Sequence, residues 1–229
     1  MSSTVVVAMD GPSGSGKSST ARGVASRLGL RYLDTGAQFR AMTAWMLRQQ
    51  VDLDDAEAVA TMSDRPHLVS GTDPLAPTIT VDGADVAVEI RSQTITDHVS
   101  AVASVPAVRR RLLELQRSII GTGGIVVEGR DIGSVVAPDA DLKLYLTADP
   151  SARAQRRAAE NGAGTVEATE ADLIRRDTID SGRATAPLVV PDGAVHLDTT
   201  PFTLEQVIDQ VVALVDEAVR RKTGQGSGS

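Results

Sequence analysis

The sequence of 229 residues contains no cysteine, so disulfide bonds, thiolate metal sites and a cysteine nucleophile are all excluded. Its three histidines, His67, His98 and His196, are too far apart along the chain to indicate a metal cluster. No apolar run approaches the roughly eighteen residues of a membrane span, and no N-terminal charged-then-apolar signal is present. We therefore expect a soluble cytoplasmic protein with no membrane partner.

Lysine is also scarce, with three lysines against 20 arginines. Genomic base composition accounts for this bias at least as well as a functional cause does. The net charge of −7 argues against a broad surface for nucleic-acid polymer, so any binding of polyanions must be local. The hydrophobic fraction of 41% is ordinary for a globular protein, and the length allows one sizeable core or a core with an insert.

Strands and helices alternate along the chain. "TVVVAMD" reads as a buried strand, "TARGVASRLGL" as a helix that closes near Gly29, and "RYLD" as a second strand. "GGIVVEGRD", "ADLKLYLTADP" and "AVHLDTT" read as further strands with helical segments between them, and "TLEQVIDQVVALVDEAVRRK" as a closing helix. This order predicts an α/β fold with a parallel sheet and functional loops at the carboxyl ends of its strands.

The stretch from about Ser63 to Arg91 has a different pattern. "TITVDGADVAV" alternates apolar and polar residues around the turn dipeptide Asp82-Gly83, which predicts a β-hairpin. A small antiparallel insert is the simplest interpretation, and an ordinary surface loop is the alternative.

A phosphate-binding loop follows the first strand. "GPSGSGKS" fits G-x-x-x-x-G-K-[ST] at every required position. Backbone N–H groups would surround the β-phosphate of ATP, Lys17 would reach the β/γ oxygens, and the Ser18 hydroxyl would bind Mg²⁺. The predicted donor-binding residues are Gly11, Pro12, Ser13, Gly14, Ser15, Gly16, Lys17, Ser18 and Ser19.

Other P-loop proteins fit less well. An Asn-Lys-x-Asp motif that reads guanine is missing, which argues against a GTPase. "IVVEGRD" resembles a Walker B strand only loosely, because Arg130 precedes Asp131. A small-molecule kinase is therefore favoured.

Four segments together are similar to the bacterial cytidylate kinase family in order and spacing: "DGPSGSGKSS", "YLDTGAQFR", "VVEGRDIGSVVAPDADLKLYL" and "RRDTIDSGRATAPL". The resemblance runs from about Thr4 to Lys222. It implies one kinase domain over 1–222, with an acceptor-binding insert at about 36–105 and a helical lid at about 153–187. We expect 223–229 to form a flexible tail.

The family resemblance implies transfer of the ATP γ-phosphoryl group to CMP or dCMP, directly and in line, with Mg²⁺. The acceptor phosphate would be held by Arg40, Arg130 and Arg183, with Thr35 in the same pocket. Asp131 would accept a hydrogen bond from the N4 amino group of cytosine, assisted by Ser100 and Arg109. Arg176 and Asp180 would bind the ribose. The predicted catalytic residues are Lys17, Arg130 and Arg183.

The lid would begin with "SARAQRR", and one or more of Arg153, Arg156 and Arg157 would meet ATP; Arg157 is the predicted contact. Two positions depart from the expected family pattern, Thr35 in place of Ser and Phe39 in place of Tyr. Only nucleotides are expected as partners, and the protein is expected to be a monomer.

Each of these arginines also has a purely structural interpretation. Arg40 could be a surface helix residue, Arg130 could pair with a carboxylate, and the lid arginines could form a solvated helix face. The acceptor would be UMP, AMP or a metabolite hydroxyl, or the chain would be a non-catalytic nucleotide-dependent binding module.

The segment "RRDTIDSGRATAPL" places Arg176 and Arg183 seven residues apart, two helical turns. Both would then grip one anion, or both would belong to a solvated helix with paired charges. Ser181-Gly182 is a helix stop, however, so we expect Arg183 to extend from the turn beyond it. Asp177 is predicted to be an ion-pair partner on the outer face.

Overall fold

The computed structural model describes residues 4–161, 166–183 and 185–225 of the chain. It divides into two compact units, here called the core unit (1–32 and 122–229) and the insert unit (33–121). The strands are β1 (Val6–Asp10), β2 (Arg31–Asp34), β3 (Leu68–Ser70), β4 (Ile79–Val81), β5 (Ala84–Asp85), β6 (Ile125–Glu128), β7 (Leu142–Thr147) and β8 (Val195–Asp198). The α-helices are α1 (Lys17–Leu28), α2 (Thr35–Arg48), α3 (Ala56–Met62), α4 (Gln93–Ser104), α5 (Pro106–Ile120), α6 (Pro150–Asn161), α7 (Val166–Gly182) and α8 (Leu204–Gln225).

The main sheet has the strand order β2-β6-β1-β7-β8. Strand β1 pairs in parallel with β6 and β7, and β7 pairs in parallel with β8. Met9 stands opposite Glu128, and Thr147 opposite Asp198. Because these strands all run the same way, their carboxyl ends meet at one edge, which we call the carboxyl edge. The α/β parallel-sheet class predicted from the sequence is confirmed.

Buried apolar side chains on one face of β1 and β7 explain why these strands are central. Val7, Met9, Leu144 and Leu146 are completely buried. They belong to a cluster that also contains Val24, Ala25 and Ala21 of α1 and Val207, Ile208 and Val211 of α8. Helices α1 and α8 therefore cover this face of the sheet, and the loops at the carboxyl edge are left to carry the chemistry.

The insert unit contains a three-stranded antiparallel sheet of order β3-β4-β5. The predicted hairpin is confirmed, since Asp82 and Gly83 at its turn have φ of 51° and 82°, as a two-residue hairpin turn requires. The Asp82 carboxylate accepts hydrogen bonds from Trp45 Nε1 at 2.7 Å and His67 N at 2.8 Å. Strand β3 was not predicted, because three residues are too few to establish an alternating pattern.

Helix boundaries near the predicted sites follow the expected signals. Helix α1 begins at Lys17, directly after the glycine loop, and α5 begins at Pro106. Helix α7 ends at Gly182, so Arg183 lies beyond the helix as predicted. A short π-helix, Ile132–Val136, was not predicted. Helix α8 runs to Gln225, into the predicted tail, and 226–229 lie outside the described residues.

In the described part of the chain, the helices are each too short or too polar to cross a membrane.

The packing of the insert unit can be tested with two leucines. Leu112 of α5 is fully buried and Leu75 is 75% exposed. We predict that Leu112→Ala lowers the free energy of unfolding by about 2–5 kcal/mol, because it leaves a cavity in the core. Leu75→Ala should change it by less than about 0.5 kcal/mol. Urea titration followed by fluorescence of the single tryptophan, Trp45, measures both, and equal effects would contradict the described core.

Candidate active site

The glycine loop lies at the carboxyl edge, between β1 and α1, as the sequence predicts. A Cβ on Gly11 would stand 2.0 Å from the Leu146 carbonyl oxygen of β7, so only glycine fits there. Gly16 has φ of 87°, in the left-handed region, and immediately precedes α1. The positive end of α1 and the backbone of a loop of this kind favour an anion.

Lys17 turns back onto its own loop. Its Nζ donates to the Pro12 carbonyl oxygen at 2.6 Å and lies 3.4 Å from Ser15 Oγ. Burial and, to a smaller extent, the positive charge of Arg130 lower the pKa of Lys17 to about 7, although neighbouring carboxylates oppose the shift. The carboxylates near Lys17 do not fully compensate for its burial beside an arginine, and a bound phosphate would add negative charge there.

Glu128, at the end of β6, is a site residue that the sequence reasoning missed. Its Oε2 accepts from the Ser18 hydroxyl at 2.9 Å, and its Oε1 accepts from the Tyr32 hydroxyl. A hydroxyl and a carboxylate are the hard oxygen donors that Mg²⁺ prefers, so this pair fits the predicted metal. The signal was the apolar run "IVV" ending in an acid, which the Arg130-Asp131 pair obscured.

Asp180 of α7 gathers three arginines. Its Oδ2 accepts from Arg130 Nε at 3.1 Å, and its Oδ1 lies 3.6 Å from Arg183 Nη1. Burial alone would raise the pKa of Asp180, but Arg130, Arg183 and Arg176 outweigh it and hold the pKa below its usual value. The Arg183 and Asp180 side chains are only 5% and 7% exposed. One buried carboxylate therefore pairs with both Arg130 and Arg183, the two cations of this unit that are predicted to hold the acceptor phosphate.

The backbone after α7 is closed around the same residue. The Leu188 N–H donates to the Asp180 carbonyl oxygen at 2.9 Å, which turns the chain back on itself.

Arg130 does pair with a carboxylate, as the alternative from the sequence allowed. The pairing partner is itself one of the predicted site residues, so the two interpretations of Arg130 are compatible.

The Asp177 prediction is wrong in one respect. Asp177 is an ion-pair partner, of Arg153, but it does not lie on an outer face, because its side chain is 18% exposed. Its Oδ1 accepts from the Ser13 N–H at 3.2 Å, and Arg153 Nη1 donates to the Ser13 carbonyl oxygen at 3.0 Å. Both backbone groups of one phosphate-loop residue are therefore held by the predicted lid helices.

Arg156 is also attached near the loop. It donates to the Thr199 hydroxyl and carbonyl oxygens, both at 2.8 Å. The Thr199 Oγ1 lies 3.1 Å from the Ser15 carbonyl oxygen. The Arg153 and Arg156 contacts exclude a purely solvated face for these two residues. The side chain of Arg157 lies outside the part of the chain that the structure describes.

The remaining predicted residues belong to the insert unit, where Thr35 begins α2 and Ser100 lies on α4; both are buried. Arg40 is 7% exposed, so it is not the surface helix residue of the alternative interpretation. Its Nη1 donates to the Ile90 carbonyl oxygen at 3.1 Å and to Thr96 Oγ1 at 3.0 Å.

Arg109 is likewise buried within the insert unit. It donates to the Ala103 carbonyl oxygen at 3.0 Å, and its guanidinium lies 5.2 Å from the centre of the Phe39 ring. Phe39, which stands where the family pattern has a tyrosine, therefore packs against the Arg109 guanidinium.

A glycine loop between a parallel strand and a helix, together with buried arginines at the same sheet edge, defines a P-loop protein of the kinase type. The family model for cytidylate kinase matches residues 7–217. The chain belongs to the cytidylate kinase family.

Individual relatives agree with this assignment. A cytidylate kinase from Streptomyces griseus is 59% identical over 216 residues, which cover 93% of this chain and 94% of that protein. A cytidylate kinase from Rhodococcus opacus is 50% identical over 220 residues, 94% and 96% of the two chains. The crystal structure of an uncharacterised protein from Eubacterium ventriosum matches with a TM-score of 0.53 at 10% identity, covering 94% and 99% of the two chains. That likeness supports the fold alone.

The pH dependence of stability tests the cluster of arginines around Asp180. Asp180→Asn should lower the free energy of unfolding at pH 7 by about 3 kcal/mol, because buried arginines lose this carboxylate. The pKa of the Asp180 carboxyl is lower in the folded protein than its ordinary value of 3.8. Its contribution to the free energy of unfolding is therefore fully present above pH 3.8 and is lost as the pH falls through the lower folded pKa. The difference in the free energy of unfolding between wild type and Asp180→Asn should therefore become smaller as the pH falls below 3.8.

Urea titrations between pH 7 and pH 3 measure this gap. Asp172→Asn on the same helix is the matched control, since Asp172 forms an exposed pair with Arg175 and should contribute less than about 1 kcal/mol. A gap for Asp180→Asn that stays constant across the range would contradict the described cluster.

Proposed function

We propose that the chain transfers the γ-phosphoryl group of ATP to CMP or dCMP, giving ADP and CDP or dCDP. The observation that carries this proposal is the placement of Arg130 and Arg183 on Asp180 in the same unit as the phosphate loop. A donor site and a fixed pair of phosphate-binding cations are the two parts that a kinase with a phosphate acceptor requires. Membership of the cytidylate kinase family supports the choice of acceptor.

The phosphate loop is the donor site in this proposal. Its backbone N–H groups and the start of α1 surround the β-phosphate, and Lys17 leaves the Pro12 carbonyl for the β/γ oxygens. Ser18, with Glu128 behind it, would hold Mg²⁺, which neutralises phosphate charge when bound. Occupation of the loop by negative charge would relieve the repulsion between Lys17 and Arg130.

The acceptor needs no general base. A nucleoside monophosphate has a second pKa of about 6, so its phosphate is already an anionic nucleophile at neutral pH. The difficulty is to bring that anion to ATP, and forked arginine donors suit this task. Arg183 and Arg130 hold the acceptor phosphate, and Arg40 and Thr35 of the insert unit are further proposed contacts of the acceptor. The Asp180 carboxylate keeps Arg183 and Arg130 in place for this role.

Cytosine is selected by a carboxylate. Asp131 accepts from the N4 amino group, which uracil lacks, and Ser100 and Arg109 complete the contacts at the base edge. Asp131 is 5% exposed, so the O4 carbonyl of uracil would face a buried carboxylate to which it cannot donate a hydrogen bond. Arg176 and Asp180 bind the ribose, and Arg176 is already close enough to affect the pKa of Asp180.

The lid contributes arginines to the donor site. Arg156 is the better supported of the lid arginines with described side chains, because its Nη1 lies 3.7 Å from the Cβ position of Gly16, at the start of α1. Arg157 remains a predicted ATP contact. A closed lid would exclude water that otherwise hydrolyses ATP. We infer a monomer in the cytoplasm that binds small nucleotides and no nucleic-acid polymer.

Coupled measurement of ADP formation with a panel of acceptors tests the proposed function. We predict turnover with CMP and dCMP well above that with UMP or AMP, and Asp131→Asn should reduce CMP use about 100-fold while changing the KM for ATP less than about twofold. Asp139→Asn, an exposed aspartate on the following turn, is the matched control and should be neutral.

The acceptor panel separates the alternatives. If no monophosphate raised ADP formation over background, the chain would be a binding module or a kinase for another acceptor. A preference for UMP over CMP would exclude the role of Asp131 in reading the base.

The role of Arg183 is tested by comparing the effect of its substitution on kcat with the effect on ATP affinity. We predict that Arg183→Ala lowers kcat about 100-fold or more and leaves ATP affinity nearly unchanged, because its charge is needed most in the transition state. Arg175→Ala is the control, since the Arg175 side chain is 50% exposed. Steady-state kinetics and equilibrium ATP binding give the two quantities, and equal losses in both would assign Arg183 a structural role.

A further inference from the structure

Asp10 is a completely buried carboxylate at the end of β1, directly before the phosphate loop. Its Oδ1 accepts from the Ile132 N–H at 2.7 Å, and its Oδ2 accepts from the Gly133 N–H at 2.8 Å. Two consecutive backbone donors on the two oxygens of one carboxylate fix both the side chain and the backbone that donates. The proposed chemistry so far gives Asp10 no role.

The backbone held by Asp10 is the turn that carries Arg130 and Asp131. On the other side of that pair, the Gly129 N–H donates to the Met9 carbonyl oxygen at 3.0 Å. Residues 9 and 10 therefore hold the chain immediately before and immediately after the two predicted acceptor residues. The Asp131 carbonyl oxygen is also engaged, since it accepts from Val135 N at 2.9 Å.

There is little free space around the hydrogen bond from the Gly133 N–H to Asp10. A Cβ on Gly133 would stand 3.0 Å from Pro191 Cγ and 3.3 Å from Asp10 Oδ2. Even one methyl group would push against the carboxylate or the proline ring. The position of the turn is therefore set closely by Asp10 on one side and Pro191 on the other.

We propose that Asp10 is a positioning residue for acceptor recognition, which holds the 129–133 turn so that Arg130 and Asp131 meet the acceptor. This inference rests on the proposed roles of Arg130 and Asp131. Asp10 touches neither substrate in the proposed arrangement, because both carboxylate oxygens face the turn. The same residue precedes Gly11, so one strand end determines the position of the donor loop and of the acceptor turn.

Asp10→Asn is the primary test. Asparagine keeps the size but offers one acceptor oxygen, so its NH₂ group must face one of the two backbone N–H groups. The KM for CMP should rise at least about tenfold, the preference for CMP over UMP should fall, and the KM for ATP should change less than about twofold. A general loss of structure beside Gly11 would raise both KM values together, and that outcome would overturn the proposal.

Asp141→Asn is the matched control. The Asp141 carboxylate accepts from the Val6 N–H at 2.8 Å, at the amino end of β1, and so has the same chemistry in the same unit. Asp141→Asn should lower thermal stability without changing either KM. If it shifted the CMP and UMP preference as Asp10→Asn does, the effect would be one of sheet stability and the proposal would fail.

A double-mutant cycle distinguishes this inference from the proposed function. If Asp10 acts through Asp131, the Asp10→Asn/Asp131→Asn variant should be about as impaired with CMP as Asp131→Asn alone. Fully additive losses would overturn the positioning role and leave the role of Asp131 intact. An Asp131→Asn variant that uses CMP normally would instead contradict the proposed function itself.

Gly133→Ala provides the second route if Asp10→Asn does not fold. The added methyl group approaches Asp10 Oδ2 and Pro191 and displaces the same turn without removing the carboxylate. The expected result is again a raised KM for CMP, by at least about tenfold, with the KM for ATP nearly unchanged. Unchanged CMP and UMP preference in a folded Gly133→Ala protein would count against the proposal.

Discussion

The burial of several positive charges beside a phosphate loop is the constraint on which the rest of the site depends. Lys17, Arg130 and Arg183 all lie with little exposure in the core unit. Without bound phosphate such charges repel one another and lose their hydration, which costs several kcal/mol unless carboxylates stand close by. Asp180 holds the two arginines, and the lowered pKa of Lys17 shows that its own compensation is incomplete.

The same physical reason connects parts of the chain that are distant in sequence. Asp177 and Arg153 neutralise each other and together hold Ser13 of the phosphate loop. Glu128 accepts from Ser18 across 110 positions of the chain. Each of these contacts pairs a buried polar group that would otherwise be costly, and each thereby places a helix or loop relative to the loop that binds phosphate. The stability of the fold and the geometry of the site thus depend on the same hydrogen bonds and ion pairs.

Much of the fold followed from local pattern. The buried strand before Gly11, the helix after Lys17 and the Asp82-Gly83 hairpin were all predictable, because periodicity and turn chemistry act within a few residues. The strand β3 was not predictable, because its three residues are too few to show an alternating pattern. The π-helix after Asp131 was not predictable either, because it depends on contacts with a distant strand. Ile132 and Gly133 turn as they do because Asp10 accepts their N–H groups.

The phosphate loop, the parallel α/β class and the end of α7 before Arg183 could be predicted from the residues alone, because each has a short-range signature in residue type and spacing. The contact of Asp177 with the phosphate loop, the hydrogen bond from Ser18 to Glu128 and the pairing of Arg130 with Asp180 became visible in the folded chain. Helical spacing tells which side chains share a face, but it carries no information about what stands opposite that face. Paired buried charges are a property of the packed molecule, because a distant segment must arrive before burial makes the pairing necessary.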